Sequence, residues 1–289
     1  MTDISVIILT KNEQLHIKRC LERLMPLEPR QIFIVDCFST DSTKNIVESF
    51  KSALQLQLNP TTISFVERAW PGNQAAQFNW ALDNLPMEGQ WILRLDADEY
   101  LYPDTVEEVR GLLPKWDGEK VTAGALAPDV TSLSLSRARY IFGGAIKHGN
   151  PEIELVRFFK FGYGRSTAAE MDEHIVTSEG RNLKLRGKFV DDSLLPFAEW
   201  QEKHRGYAKR EARMAVSGSA NANKRMYYKL PPYLRAFAYF SYRYFLRLGF
   251  LDGYPGWMWH FYQGLWYRWL VDREIGKLKR YSARSDKSY

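Results

Sequence analysis

Asp96-Ala97-Asp98 closes the short run at residues 91–95, apolar except for Arg94. In extended backbone, residues i and i+2 project to the same side, so both carboxylates can converge on one point, and the small Ala97 leaves room there. Paired hard oxygen ligands suit Mg²⁺ or Mn²⁺ carrying a diphosphate. The competing reading is a surface turn in which Asp98 or Asp104 caps the next helix, but the place of the pair after an apolar run favours the ligand role. Asp36 ends a similar run at residues 32–35 and precedes Ser39-Thr40-Asp41-Ser42-Thr43. A carboxylate there can accept from a base N–H or a ribose hydroxyl, while Asp41 or Ser42 caps the helix that follows. No G-x-G-x-x-G or P-loop follows the first apolar run, which argues against a dinucleotide enzyme and an NTPase of those types. A diphosphate held here needs a metal. Glu170-Met171-Asp172-Glu173-His174 is a second dense ionisable cluster.

The elements that must position these groups follow from hydrophobic periodicity. Residues 4–9 form a β-branched-rich run, apolar but for Ser5, as expected of a strand buried on both faces. Residues 13–24 then place Leu15, Cys20, Leu21 and Leu24 at near-helical spacing. Strands at 32–35, 63–66 and 91–95 and a helix at 73–85 continue the alternation. Such a rhythm predicts an α/β fold with an open, mostly parallel sheet flanked by crossover helices. Sites in such sheets lie at the carboxyl ends of the strands, which selects residues 10–13, 36–41 and 96–98. After residue 120 the pattern changes to strands at 137–142 and 153–161, a hairpin turning near Glu179-Gly180, and a helix at 197–216. Residues 217–223 read as a linker. The expected organisation is a catalytic domain over 1–216 (a nucleotide half, 1–105, and an acceptor half, 106–216), then a helical extension over 224–289.

Three motifs carry a family resemblance: Ser5-Val6-Ile7-Ile8-Leu9-Thr10-Lys11-Asn12, then Val35-Asp36 with Ser39-Thr40-Asp41-Ser42-Thr43, then Leu95-Asp96-Ala97-Asp98-Glu99. In this order and spacing the chain resembles family 2 glycosyltransferases of the GT-A fold, with Cys37 standing where Ser is more usual. The segment Pro71–Asn79 resembles the one that walls the nucleotide site before the D-x-D. Met171-Asp172-Glu173-His174, and the stretch from Lys203-His204 to Glu211-Ala212, resemble bacterial members that build lipopolysaccharide or exopolysaccharide. The resemblance implies transfer of a sugar from a nucleotide-diphosphate donor to a glycan or lipid-linked acceptor, with inversion at the anomeric carbon. It implies that Thr10, Lys11, Asn12, Glu13, Asp36, Asn73, Gln77 and Asp96 bind the nucleotide sugar. Asp98 would bind the metal with Asp96, and His174 could complete its shell. Glu173 or Asp172 would be the base that takes the acceptor proton, with Glu173 slightly preferred. Lys147, His148, Arg157 and Arg165 could offset phosphate charge, although solvated strand faces explain most of them. Gln263 and Arg268-Trp269 are too far apart to match the Gln-x-x-Arg-Trp motif of processive synthases, so one sugar per encounter is expected.

Charge and aromatic residues are unevenly spread. Residues 224–289 hold 13 Lys/Arg against 4 Asp/Glu and 20 of the 41 aromatic residues, so the net +6 of the 289-residue chain belongs to its C-terminal stretch. Trp and Tyr favour the headgroup region of a bilayer and Lys/Arg favour anionic lipid, so peripheral membrane contact through 224–280 is expected. A helical cap on the catalytic domain or a homo-oligomer interface would use the same aromatics as core. Single-stranded nucleic-acid binding also pairs basic with aromatic residues, but no nucleic-acid module pattern supports it, and nucleic acid is not expected as a partner. A catalytically silent sugar-nucleotide-binding subunit is the remaining alternative. Two cysteines, a charged residue in every candidate span and an N-terminus without a signal-peptide pattern lead to the expectation of a cytoplasmic enzyme at the inner face of the cell membrane.

Overall fold

The apolar run at residues 4–9 becomes the central strand of a sheet. The computed structural model of the chain describes residues 1–150, 152–167, 174–217 and 222–285. Contacts divide the chain into two units, Met1–Ala138 with Glu152–Asp192, and Arg139–Pro151 with Ser193–Tyr289.

In the first unit, β1 (Thr2–Thr10), α1 (Ile17–Leu24), β2 (Pro29–Asp36), α2 (Thr43–Leu56), β3 (Thr62–Glu67), α3 (Gln74–Asn84) and β4 (Trp91–Asp96) alternate as expected. The four strands are parallel in the order β3-β2-β1-β4. Burial on both faces explains the apolar run of β1, in which Ser5 is the one polar residue between Ile4 and Leu9. Its Ile4, Val6 and Ile8 enter one core with Ile17 and Leu21 of α1. Its Ile7 and Leu9 enter a second core with Phe78 and Ala81 of α3. Helix α1 begins at Ile17, so Leu15 precedes it and lies exposed, not at the core position that its spacing suggested.

Beyond β4 come β5 (Glu99–Leu101), α4 (Pro103–Leu112), the short ladder β6 (Lys115–Trp116) with β7 (Val121–Thr122), and then β8 (Val130–Ile141), β9 (Gly144–Ile146), β10 (Glu154–Lys160), β11 (Gly164–Ser166), β12 (Ile175–Thr177) and β13 (Arg181–Asp192). Strand β10 runs antiparallel to both β4 and β8, and β13 antiparallel to β5. The sheet is therefore mixed, because its later strands are not joined by crossover helices. Its order is β3-β2-β1-β4-β10-β8-β13-β5. β8 starts seven residues earlier than its sequence pattern suggested, as Ser132, Ser134 and Ser136 are buried in it along with Leu133 and Leu135. No hairpin forms across Glu179-Gly180. β12 pairs with β11 in a separate two-stranded sheet, whereas β13 joins the main one.

The second unit is mostly helical: α5 (Phe197–Ser217), α6 (Ala222–Lys229), α7 (Leu234–Ser241), α8 (Gly253–Trp259) and α9 (Tyr267–Ser285). The expected aromatic-rich C-terminal helices are present. Pro231-Pro232 separates α6 from α7, and π-helical turns at Tyr242–Leu246 and His260–Trp266 continue α7 and α8. Helix α5 packs on α9 through Ala208 and Ala212 against Tyr267, Leu270 and Val271. Beneath them the buried Glu211 carboxylate accepts from the Tyr228 hydroxyl at 2.7 Å, the Tyr267 hydroxyl at 2.6 Å and the Arg268 guanidinium at 2.8 Å. Part of the aromatic stretch is thus core of this unit. Residues 218–221 of the expected linker lie outside the described residues.

Candidate functional site

Register brings the three motifs together. Thr10, at the end of β1, lies opposite Asp36 of β2, and the preceding Leu9 lies opposite Asp96 of β4. The carboxyl ends of these strands form one edge of the parallel half-sheet, where ligands of such sheets bind.

The loops after β1 and β2 are laced to each other. The Thr10 hydroxyl donates to Asp36 Oδ1 at 2.7 Å, and Ser39 donates its hydroxyl to Oδ1 and its backbone N–H to Oδ2, both at 2.6 Å. Asp36 is 1% exposed, so its carboxylate works first on the chain's own loop. Asn12, at φ +56°, receives the Thr40 N–H on its side-chain oxygen at 2.8 Å and donates its own N–H to the Ser39 hydroxyl at 2.7 Å. The Lys11 ammonium donates to the carbonyls of Cys37 and Phe38 at 2.9 and 2.6 Å. Glu13 donates its N–H to the Thr43 hydroxyl at 2.8 Å, and its carboxylate meets His16 Nδ1 at 2.6 Å. Asp41 ties its loop by accepting from the Thr43 N–H and hydroxyl, which holds its carboxyl below the usual range despite opposing desolvation.

Two residues of the 71–79 segment have structural work. Asn73 caps α3, its side-chain oxygen accepting the Ala76 N–H at 2.7 Å. Gln77 is fully buried and accepts from the Arg68 guanidinium at 3.1 Å, and Arg68 lies over the Trp80 ring at 4.7 Å. Gln77 therefore supports Arg68 and presents nothing to solvent.

At the end of β4, Asp96 and Asp98 are half-buried and Ala97 between them is buried. Asp96 Oδ1 is sealed from solvent and has no hydrogen-bond partner among the described residues. A carboxylate oxygen left so is costly unless a cation satisfies it, and two carboxylates completed by phosphate oxygens and water are a normal Mg²⁺ environment. The residues present fit such an ion. Asp98 accepts the Asp192 N–H on its backbone carbonyl at 3.0 Å, and the Asp192 carboxylate binds the Arg19 guanidinium at 2.7 Å.

Glu99 is the residue that sequence reasoning missed. Its carboxylate accepts the Asp96 N–H at 3.0 Å and pairs with the Arg157 guanidinium, both side chains being buried. Burial raises the Glu99 carboxyl; Arg157 opposes that, and the Asp96 and Asp98 carboxylates add to it. Arg157 also lies over the Phe189 ring at 4.1 Å, so it is neither a solvated strand residue nor a phosphate contact. Its signal in the sequence was only the acid directly after the D-x-D. Two of the other candidate cations are engaged as well: Arg165 pairs with Asp83 at 2.6 Å, and His148 in the second unit meets Asp252 at 2.6 Å.

His174 is exposed; its backbone carbonyl accepts the Thr167 N–H at 2.9 Å, and its own N–H donates to the Thr167 hydroxyl at 3.2 Å. Among the described residues no three His, Cys, Asp or Glu side chains are gathered to hold a metal. Asp172 and Glu173 lie outside the described residues.

Residues 5–126 match the family model of glycosyl transferase family 2, which covers the parallel half-sheet and the D-x-D turn. The resemblance read from the motifs holds over this segment, and the α/β GT-A-like fold expected from it is the fold observed. Over 122 residues the chain is 30% identical to an uncharacterized glycosyltransferase of Mycoplasma pneumoniae, the MG060 homolog, across 41% of this chain and 39% of that one. It is 26% identical over 117 residues to the poly(ribitol-phosphate) beta-N-acetylglucosaminyltransferase TarS of Staphylococcus aureus, across 39% of this chain and 19% of that one. The chain thus matches well under half the length of these relatives. A solved structure, the mannosyltransferase PcManGT from Pyrobaculum calidifontis in complex with GDP-Man and Mn²⁺, aligns over 96% of this chain and 75% of its own, with 15% identity and a TM-score of 0.45.

Proposed function

We propose that this chain is a non-processive, inverting glycosyltransferase moving a sugar from a nucleotide-diphosphate donor to a glycan or lipid-linked acceptor in cell-surface polysaccharide synthesis. The observation that carries the reading is the buried Asp96 carboxylate oxygen beside Asp98, without a partner among the described residues, at the strand edge of a segment matching glycosyl transferase family 2. The loop knit by Thr10, Asn12 and Asp36 is the nucleoside side of the site, with Lys11 and Glu13 on its rim. Asp96 and Asp98 would hold Mg²⁺ or Mn²⁺, which when bound offsets the diphosphate charge and eases its departure.

In this reading the acceptor hydroxyl oxygen attacks the anomeric carbon from the face opposite the nucleotide. The new C–O bond forms as the bond to the diphosphate oxygen breaks, and the leaving group takes that electron pair. The acceptor proton passes to Glu173 or Asp172, acting as general base. A donor of this kind and an acceptor made at a membrane place the enzyme at the inner face of the cell membrane, attached through residues 224–280. In this reading the attachment is peripheral. No helix among the described residues is long and apolar enough to cross a membrane.

The test is a panel of nucleotide sugars with Mn²⁺ or Mg²⁺, scored by thermal shift and by donor hydrolysis. One donor should raise the melting temperature in a metal-dependent way and be hydrolysed slowly without acceptor. Metal-dependent stabilisation without hydrolysis or transfer would mark a binding subunit, and no response to any donor would overturn the reading.

A further inference from the structure

Helix α7 of the second unit is built with its polarity reversed. Along α7 and the π-helical turn that continues it, Leu234, Phe237, Ala238, Tyr242 and Phe245 follow one another at mostly three- and four-residue spacing, and all are exposed. Phe237 is 57% and the adjoining Leu246 75% exposed, whereas Arg235 and Arg243 are each 4%. The buried arginines are fully employed. Arg235 binds Asp272 Oδ1 through Nε at 2.9 Å and the Tyr228 carbonyl at 2.7 Å. Arg243 donates to the Gly149 carbonyl at 3.0 Å and to the Asn150 side chain. A water-facing helix turns its charges out and its aromatics in; this one does the opposite.

The exposed apolar face continues into an ordered gradient. Tyr233, just before α7, packs at 5.9 Å on Trp269 of α9, and both are exposed. Arg273, one helical turn further, lies over the Trp269 ring at 5.9 Å. It lines a cleft of about 190 Å³ between α5 and α9 with Arg205, Lys209 and Lys277, four cations against the single acid Glu274, which pairs with Lys277 at 2.8 Å and Arg273 at 3.4 Å. Apolar side chains, then Tyr and Trp, then clustered Arg and Lys is the order met on moving from acyl chains through the interface to anionic headgroups. Asp252 is the one acid between residues 226 and 257, and its carboxylate is taken by the backbone N–H groups of Lys147 and His148. A second copy meeting this face by a two-fold axis would bring like-charged rims together.

We infer that this surface is an in-plane docking face for an anionic lipid bilayer. Phe237, Phe245 and Leu246 enter the acyl boundary, Tyr233 and Trp269 sit at headgroup level, and the cleft beside Arg273 takes headgroup phosphate. The inference rests on the peripheral attachment proposed above and assigns its surface; it does not require the transfer reaction.

The test is co-sedimentation of the full chain with vesicles of phosphatidylcholine alone or mixed with phosphatidylglycerol. The wild type should sediment with both, more with the mixture. Phe237→Glu with Leu246→Glu should weaken sedimentation with both by about tenfold or more, whereas Arg273→Glu with Lys277→Glu should remove only the preference for the anionic mixture. All four side chains are exposed, so circular dichroism and donor-induced thermal shift should remain those of the wild type. If the wild type ignores both vesicles, or is a lipid-free dimer that Phe237→Glu with Leu246→Glu dissolves, the bilayer is not the occupant. If both double variants sediment like the wild type, the peripheral attachment stands and this surface is the wrong one.

Discussion

Glu99 and Arg157 form a buried ion pair directly behind the Asp96-Ala97-Asp98 turn, and the same Glu99 carboxylate receives the Asp96 backbone N–H at 3.0 Å. The pair links the turn after β4 to β10, 58 residues later, so the geometry of the candidate metal site depends on a contact remote in sequence. Breaking a buried pair from one side leaves its partner uncompensated. Arg157→Met should therefore lower stability by about 3–5 kcal/mol, read as the urea midpoint at constant m-value. A loss below about 1 kcal/mol would mean that Glu99 is neutral in the folded protein.

Asp98→Asn should reduce transfer by roughly 10²–10³-fold or more, the usual cost of losing one electrostatic stabiliser. Chelation of divalent ions should abolish wild-type turnover, and re-added Mn²⁺ or Mg²⁺ should restore it. Near-wild-type turnover of Asp98→Asn with metal present would remove Asp98 from the metal site.

Glu173→Gln should cost about 10²–10⁴-fold in kcat, the range for a general base, while donor-induced thermal stabilisation persists. If the rate is retained and Asp172→Asn instead loses it, the base is Asp172.

His260 and His204, both in the C-terminal unit, should make the protein acid-sensitive. Burial lowers His260 from 6.5 to about 4, as does neighbouring Arg243, with Asp252 opposing; Tyr244 also packs near the ring. Burial likewise lowers His204 to about 4, with Lys203 and Arg139 acting in the same direction, although the Trp200 carbonyl bond opposes it. Its ring packs on Trp200, Tyr207 and Tyr267. Both rings stay neutral in the folded chain at pH values where the unfolded chain binds protons. The stability they contribute is present above pH 6.5 and is lost as pH falls toward 4. The slope for His260 is at most about 1.4 kcal/mol per pH unit. Urea midpoints between pH 7 and 5 should fall, and less steeply in His260→Asn. An unchanged slope in that variant would show that His260 protonates without unfolding.

Much of the catalytic half could be read without coordinates. The apolar run of β1, the acids at the ends of β2 and β4 and the helix beginning near residue 73 are local signals, and parallel-sheet topology converts the strand ends into one edge. Local signals could not tell which polar groups face solvent and which face the protein. Gln77 and Asp36 are equally polar in sequence, yet one props Arg68 from inside and the other ties down its own loop. The same blindness hid the Glu99–Arg157 pair, since nothing near Glu99 announces a partner on a strand made much later.

The amino-acid sequence by itself determined the alternation of strands and helices, the positions of the strand-end acids and the aromatic, basic character of the C-terminal stretch, because each is set by near neighbours and their periodicity. Tertiary structure alone decided how that stretch divides its residues. Tyr228, Tyr267 and Arg268 close around Glu211, and Arg235 turns inward onto Asp272. Phe237 and Leu246 are left outside. Periodicity marks two faces of a helix but does not say which faces the protein; that is settled by the ion pairs available within and the solvent, water or lipid, without.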